Sequence, residues 1–92
     1  MTEKKLEGVA DIDGELKTCS GIIRIFNFDL ANNVAYVSWE MFDQEKKSIA
    51  FRARHYKVTD KSNVDERIIE LAIENILSYR IGCKVIFSEI TN

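Results

Sequence analysis

The sequence predicts an α+β protein in which four antiparallel strands in a meander, one helix and a final strand follow in the order β-β-β-β-α-β. Four segments rich in β-branched and aromatic residues are separated by short polar turns. A single later stretch has the apolar spacing of an amphipathic helix, and one more apolar run follows it. Because 92 residues are too few for two hydrophobic cores, we expect a single domain over residues 1–92.

Turn signals set the limits of the first four strands. Asp13-Gly14 is typical of a hairpin, Asn32-Asn33 tolerates left-handed backbone, and residues 43–47 are entirely polar. The strands predicted between these turns cover residues 5–12, 18–28, 34–42 and 48–58.

The predicted helix covers residues 64–80. Asn63 is a favourable N-cap residue with Glu66 three positions later, and Gly82 follows where left-handed caps occur. Residues 84–90 form the last strand, whose central apolar run is typical of burial on both faces. Because this strand follows a helical crossover, it has the option of lying parallel to one neighbour.

Loop lengths predict the register of the central strands. A five-residue loop over 29–33 sets Ile23 opposite Trp39. A three-residue loop over 43–45 sets Trp39 opposite Ile49, with Phe51 on the same side. We therefore expect Trp39, Ile49 and Phe51 on the sheet face that the helix covers.

The face that the helix leaves uncovered, here called the open face, is the predicted partner-binding surface. The residues that we expect to bind a partner there are Arg24, Phe26, Phe28, Tyr36, Arg52, Arg54 and Tyr56. Exposed aromatic and arginine side chains favour self-association as a homodimer or binding of another protein. Stacking of single-stranded nucleic acid is an alternative, and so is coverage of the aromatic rings by the arginine stems.

Composition and charge exclude several classes of protein. Thirteen basic and fifteen acidic residues give a net charge of −2, unlike strongly basic nucleic-acid-binding domains. No apolar run approaches the ~20 residues that span a membrane, and the polar start lacks the apolar segment of a secretory signal. We therefore expect a cytoplasmic protein with no membrane contact, in which Cys19 and Cys83 are reduced thiols in the core.

Residues that would support catalysis are sparse. The glycines form no phosphate-binding spacing, and neither cysteine lies in a nucleophile motif. The only histidine, His55, has no identifiable partner, and alternation places it on the helix-covered face. Asp11 and Asp13 are more typical of a turn than of a Mg²⁺ site. We expect no enzyme activity and no cofactor, and hence an interaction module of the inhibitor, immunity or adaptor type.

The segment Glu70-Leu71-Ala72 and the run over residues 82–89 resemble the N-terminal half of the ribonuclease H-like fold. The resemblance implies that Asp13, Glu70 and Glu89 occupy the positions of that family's metal-binding carboxylates, with a metal-dependent nuclease-like activity as an alternative function. The chain departs from the family by an extra strand before the helix and by Ser88-Glu89 in place of Ser-Asp. Glu70 also belongs to an acidic helix stripe, so we expect no functional metal site.

Overall fold

The computed structural model describes residues 2–80, 82 and 84–92, which form a five-stranded antiparallel sheet with one helix on one face. The elements are β1 (Thr2–Ile12), β2 (Glu15–Asp29), β3 (Val34–Phe42), β4 (Ser48–Lys57), α1 (Val64–Leu77) and β5 (Val85–Thr91). The strand order is β4-β3-β2-β1-β5. This arrangement confirms the predicted α+β layout, with β4 and β5 as the two edges of the sheet.

The last strand lies antiparallel to its neighbour, contrary to the parallel option. Because α1 carries the chain from one sheet edge to the other, β5 runs in the direction of β4 and so opposes β1. Gly8 permits this pairing, since a Cβ at that position would collide with the backbone carbonyl of Glu89. The approach of the two backbones therefore requires the missing side chain at Gly8.

The helix covers one side of the sheet and ends earlier than predicted, at Leu77. Its buried residues Ile68, Ala72 and Ile76 follow the helical repeat, as expected for an amphipathic element. Asn63 makes no side-chain cap; instead its carbonyl accepts the Arg67 amide at 3.0 Å. The helix packs mainly on β5, β2 and β3 and leaves β4 at its margin.

Trp39 lies at the centre of the core with none of its surface exposed. The other large side chains that are fully buried are Leu6, Ile23, Met41, Ile68, Ile76 and Phe87. Cys19 is buried among them, as predicted, and its burial raises the pKa of the thiol. Cys83 lies outside the described residues.

The predicted register between β2 and β3 is confirmed at Ile23, which pairs with Trp39, and at Ile25, which pairs with Val37. Beyond Ile25 the register shifts by one residue, because Phe26 forms a β-bulge. Phe28 then pairs with Ala35 and packs against the core. Its predicted placement on the open face is therefore wrong.

The predicted register between β3 and β4 is also wrong. The turn comprises the five residues 43–47, and Ile49 forms a second bulge, so Trp39 pairs with Arg52. Since successive side chains alternate between the faces of a strand, this shift places three predicted open-face residues on the side of the helix. These residues are Arg52, Arg54 and Tyr56. Phe51 and Ala53 lie on the open face instead.

The β3–β4 turn is closed by the carboxylate of Asp43. Its Oδ1 atom accepts the backbone amides of Glu45 at 2.8 Å and Lys47 at 3.0 Å. The backbone of Asp43 also pairs with Lys47, while Lys46 adopts a left-handed φ of 66°. Aspartate is suited to this position because its short side chain bonds to nearby backbone groups in turns.

Trp39→Ala is expected to lower the free energy of unfolding by about 3–5 kcal/mol, because it opens a cavity in the core. Phe51→Ala is the matched control, since its ring is half exposed, and we expect a loss below about 1 kcal/mol. Urea unfolding followed by circular dichroism measures both. A larger loss for Phe51→Ala than for Trp39→Ala would contradict the β3–β4 pairing described above.

Candidate functional site

The open face carries aromatic side chains that no other element covers among the described residues. Phe26, Tyr36 and Phe51 are 52%, 45% and 50% exposed. Ile22 and Phe42 are half buried beside them on the same side of the sheet. Solitary exposed apolar residues are ordinary on protein surfaces, but several on one sheet face form a patch suited to a partner.

Three of the seven predicted partner-binding residues lie on the open face, namely Arg24, Phe26 and Tyr36. The other four lie on the helix side of the sheet, so the binding surface has a different composition from the predicted one. The open-face members that were missed are Ile22, Phe42, Phe51 and His55. A five-residue turn over 43–47 by itself leaves Phe51 on the side of Trp39, as the three-residue turn does. The bulge at Ile49 is what places Phe51 and His55 on the open face, and the hydrophobicity pattern carries no signal of that bulge.

His55 pairs with Tyr36 across β3 and β4, with ring centroids 6.3 Å apart and planes tilted by 49°. Its predicted position on the helix-covered face is therefore wrong. The imidazole is exposed, and its closest described aromatic partner is the half-exposed ring of Tyr36. This arrangement extends the aromatic patch to the β4 edge.

Arg24 lies near the centre of the open face between two carboxylates. Its Nε atom is 3.3 Å from Glu3 Oε2, and its Nη1 atom is 3.8 Å from Glu40 Oε1. Exposed pairs of this kind contribute about 0–1 kcal/mol each to stability. Their larger effect here is to neutralise the one arginine of the open face.

A shallow recess of about 470 Å³ adjoins Arg24 on the open face. Its lining includes Lys5 from β1, Ile22 from β2 and Phe42 from β3. Both apolar and charged groups thus border this depression.

On the other side of the sheet, a polar cluster links β4 to α1. Asn75 Oδ1 accepts the indole N–H of Trp39 at 2.8 Å and the Nε–H of Arg54 at 3.4 Å. The Arg52 guanidinium lies 5.4 Å from the centroid of the Tyr79 ring, within cation–π range. Asn75 therefore satisfies a donor of the buried tryptophan and orients an exposed cation.

Tyr56 extends this cluster toward the end of β4. Burial raises the pKa of its phenol, while the nearby charge of Arg54 lowers it to a smaller extent. The phenol oxygen has no hydrogen-bond partner among the described residues. The Tyr56 ring packs against the core, so its main contribution is apolar packing between β4 and the core.

Two turn carboxylates have lowered pKa values for local reasons. The Asn32 side-chain amide, with the Asn32 and Ala31 backbone amides, stabilises the charged form of Asp29 and lowers its pKa. Asp60 has a lowered pKa because the Ser62 backbone amide and hydroxyl donate to it. Each carboxylate is bonded within its own turn, so these shifts belong to turn formation rather than to a reactive site.

Comparison of the chain with protein-family models, curated proteins and solved structures found no match. Within residues 2–80, 82 and 84–92, no helix is long and apolar enough to cross a membrane.

The three carboxylates named by the ribonuclease H-like resemblance lie on different parts of the molecule. Asp13 is in the β1–β2 turn, Glu70 is on the exposed side of α1, and Glu89 pairs with Val9 at the β5 edge. Glu70 forms an ion pair with Arg67 at 2.9 Å. Among the described residues, no three acidic, histidine or cysteine side chains form a group suited to a metal ion.

Asn75→Leu is expected to lower the free energy of unfolding by about 1–3 kcal/mol, because it leaves the buried Trp39 N–H without an acceptor. In a Trp39→Phe background, which removes that donor, the same substitution should cost clearly less. Urea unfolding of the two single variants and the double variant measures the coupling. An equal loss in both backgrounds would contradict the role assigned to Asn75.

Proposed function

We propose that this protein acts by binding, and that the open face joins two copies of the chain in a homodimer. The observation that carries the proposal is the exposure of Phe26, Tyr36 and Phe51 on a sheet face opposite the only helix in the described chain. Burial of apolar surface on association contributes about 25 cal/mol per Å², before the entropic cost of binding.

The dimensions of the open face are sufficient for a specific interface. Five strands about 4.8 Å apart are about 24 Å wide, and seven residues of strand are about 24 Å long. Two such faces in contact bury about 1,100 Å² in total, just above the roughly 1,000 Å² expected of a biological interface. The estimate supports a dimer that exchanges with monomer rather than an obligate one.

The shape of the open face supports a second copy as the occupant. The half-exposed ring of Phe51 and the recess beside Ile22 lie on the same surface. In a twofold arrangement, each copy presents both features to the other, so a projecting ring on one copy meets a recess on its partner. Packing of two sheets about 10 Å apart brings such features into contact.

The charges of the open face favour a protein over nucleic acid. Arg24 is paired with Glu3 and Glu40, and the acidic residues Glu7 and Glu89 also lie on this side. Binding of a phosphate backbone requires unpaired basic residues, because the release of counterions supplies most of its affinity. Lys5 and Lys57 also lie on this face, but its acidic residues outnumber its basic ones, so the face that carries the aromatic rings is poorly suited to a phosphate backbone.

Phe26→Ser combined with Tyr36→Ser is expected to convert the dimer to a monomer without loss of the fold, because both side chains point away from the core. Leu30→Ser is the matched control, since Leu30 is 65% exposed in the β2–β3 turn rather than on the sheet. Sedimentation velocity measures the mass, with circular dichroism as the test of folding.

The wild type and the Leu30→Ser variant should sediment as dimers of a 10.6 kDa chain, and the double variant as a monomer. A wild type that remains monomeric up to about 100 μM would overturn the proposal, because a dissociation constant above that value is too weak for a specific dimer. A double variant that folds and remains dimeric would show that another surface joins the copies.

A further inference from the structure

The outer edge of β4 is a second surface, separate from the open face. β4 ends the strand order at one side of the sheet, and within the described residues no strand pairs with its outer edge. The strand is ten residues long and contains no proline. Long exposed edges present a row of backbone donors and acceptors that another chain can pair with, and natural proteins usually block them.

One hydrogen bond identifies the backbone groups that point outward. The Val58 amide donates to the Asn33 carbonyl at 2.8 Å, one position beyond the Val34–Lys57 pair. Hydrogen-bonded and non-hydrogen-bonded pairs alternate along an antiparallel ladder. The amides of Arg52 and Arg54 therefore bond to β3, whereas the backbone amides and carbonyls of the odd-numbered residues of β4 face outward. The outward-facing groups belong to Phe51, Ala53, His55 and Lys57.

The segment that contains this edge is strongly basic. Residues 46–58 include five of the thirteen lysines and arginines of the chain, together with its only histidine, and no acidic residue. The rest of the chain has eight basic and fifteen acidic residues. The positive charge is therefore concentrated at one edge of an otherwise acidic protein.

Arg52 and Arg54 are held in place without a carboxylate partner. The ion pairs found among the described residues involve neither side chain. Instead, the Arg52 guanidinium lies against Tyr79, and Arg54 donates to Asn75. Both side chains lie on the same side of the strand, next to the free edge. The charges are thus oriented but not neutralised, which lowers the entropic cost of binding an anion.

We propose that β4 binds an extended acidic segment of a partner protein as a sixth, antiparallel strand of the sheet. The backbone of the segment bonds to the outward amide and carbonyl of Ala53 and its alternate neighbours. Acidic side chains at two alternate positions lie opposite Arg52 and Arg54. Those two positions form non-hydrogen-bonded pairs with the added strand, where opposing side chains approach most closely.

The residue between the two acidic positions faces the other side of the sheet. It lies opposite Ala53 and near Phe51, which are both on the open face. A small or β-branched apolar residue suits this position, because it packs beside the exposed ring of Phe51 and is short enough not to extend over Ala53. The recognised pattern is therefore acidic, apolar, acidic within an extended segment.

A second copy of this chain is a poor occupant of the β4 edge. Antiparallel pairing of two β4 strands about Ala53 brings Arg52 of one copy opposite Arg54 of its partner. Like charges directly opposite one another destabilise a strand pair. This edge therefore selects a partner different from the one proposed for the open face.

The test uses a fluorescein-labelled peptide of alternating valine and glutamate, with anisotropy as the measure of binding. We expect the wild type to bind it, and the Arg52→Glu, Arg54→Glu double variant to lose binding at least about tenfold. A peptide with lysine in place of glutamate should bind the double variant in preference to the wild type. Retention of the glutamate peptide by the double variant would overturn the proposal.

Backbone methylation of the peptide tests strand addition and leaves the protein unchanged. Methylation of the central valine amide, which bonds to β4, should abolish binding, whereas methylation of a glutamate amide should leave it intact. The Ala53→Pro variant removes the backbone N–H of Ala53 that donates to the peptide, and the Ala53→Val variant, which keeps this N–H, is its control. We expect the proline variant to fold, because proline is tolerated at outward positions of edge strands. Binding that is insensitive to valine methylation would show charge attraction without strand addition.

Two further measurements separate the alternatives. Oligothymidylate that binds more tightly than the peptide and displaces it would assign the basic edge to nucleic acid and overturn the proposal. The Phe26→Ser, Tyr36→Ser variant should retain peptide binding, and the Arg52→Glu, Arg54→Glu variant should retain the dimer. Failure of the β4 proposal is therefore distinguishable from failure of the proposed dimer.

Discussion

The carboxylate of Asp43 closes the turn between β3 and β4, and the side on which each later β4 side chain lies depends on that turn together with the bulge at Ile49 that follows it. It accepts two backbone amides of the turn, at 2.8 and 3.0 Å. Together with the bulge at Ile49, it sets Arg52 opposite Trp39. Because the side-chain period of a strand is two, a slip of one residue would move Phe51 and His55 to the helix side and Arg52 and Arg54 to the open face. The turn and the bulge that follows it thus decide together which β4 residues belong to each candidate surface.

The buried and exposed parts of the molecule are connected through Asn75. On its inner side it accepts the indole N–H of Trp39, whose burial contributes more to stability than any surface ion pair of this protein. On its outer side it accepts from Arg54 and so helps to orient a cation beside the free edge. The open face has no comparable connection, because Arg24 is bonded only to other surface residues. Of the two surfaces, the basic edge is therefore the one with a hydrogen-bonded connection to the buried tryptophan.

The order of the elements, the helix and the β2–β3 pairing at Ile23 could be predicted, because composition and loop length determine them without knowledge of side-chain contacts. The β3–β4 pairing could not, because Ile49, Phe51 and Ala53 alternate as a core strand should and therefore favour the wrong register. The observed register is accompanied by features that a hydrophobicity pattern does not contain: an aspartate-closed turn, a bulge, and the contact of the Arg52 guanidinium with the Tyr79 ring. The bulge at Phe26, which turns Phe28 toward the core, is also invisible to alternation.

Amide hydrogen exchange along β4, followed by NMR, is the most direct measurement of this arrangement. Amides that bond to β3 exchange slowly, whereas amides that face solvent at a free edge exchange quickly. We expect slow exchange at Arg52, Arg54 and Tyr56, and fast exchange at Phe51, Ala53 and His55. The opposite alternation would place Phe51 and His55 on the helix side and contradict the assignment of both surfaces. Slow exchange at all six positions in the isolated protein would show that the edge is already covered.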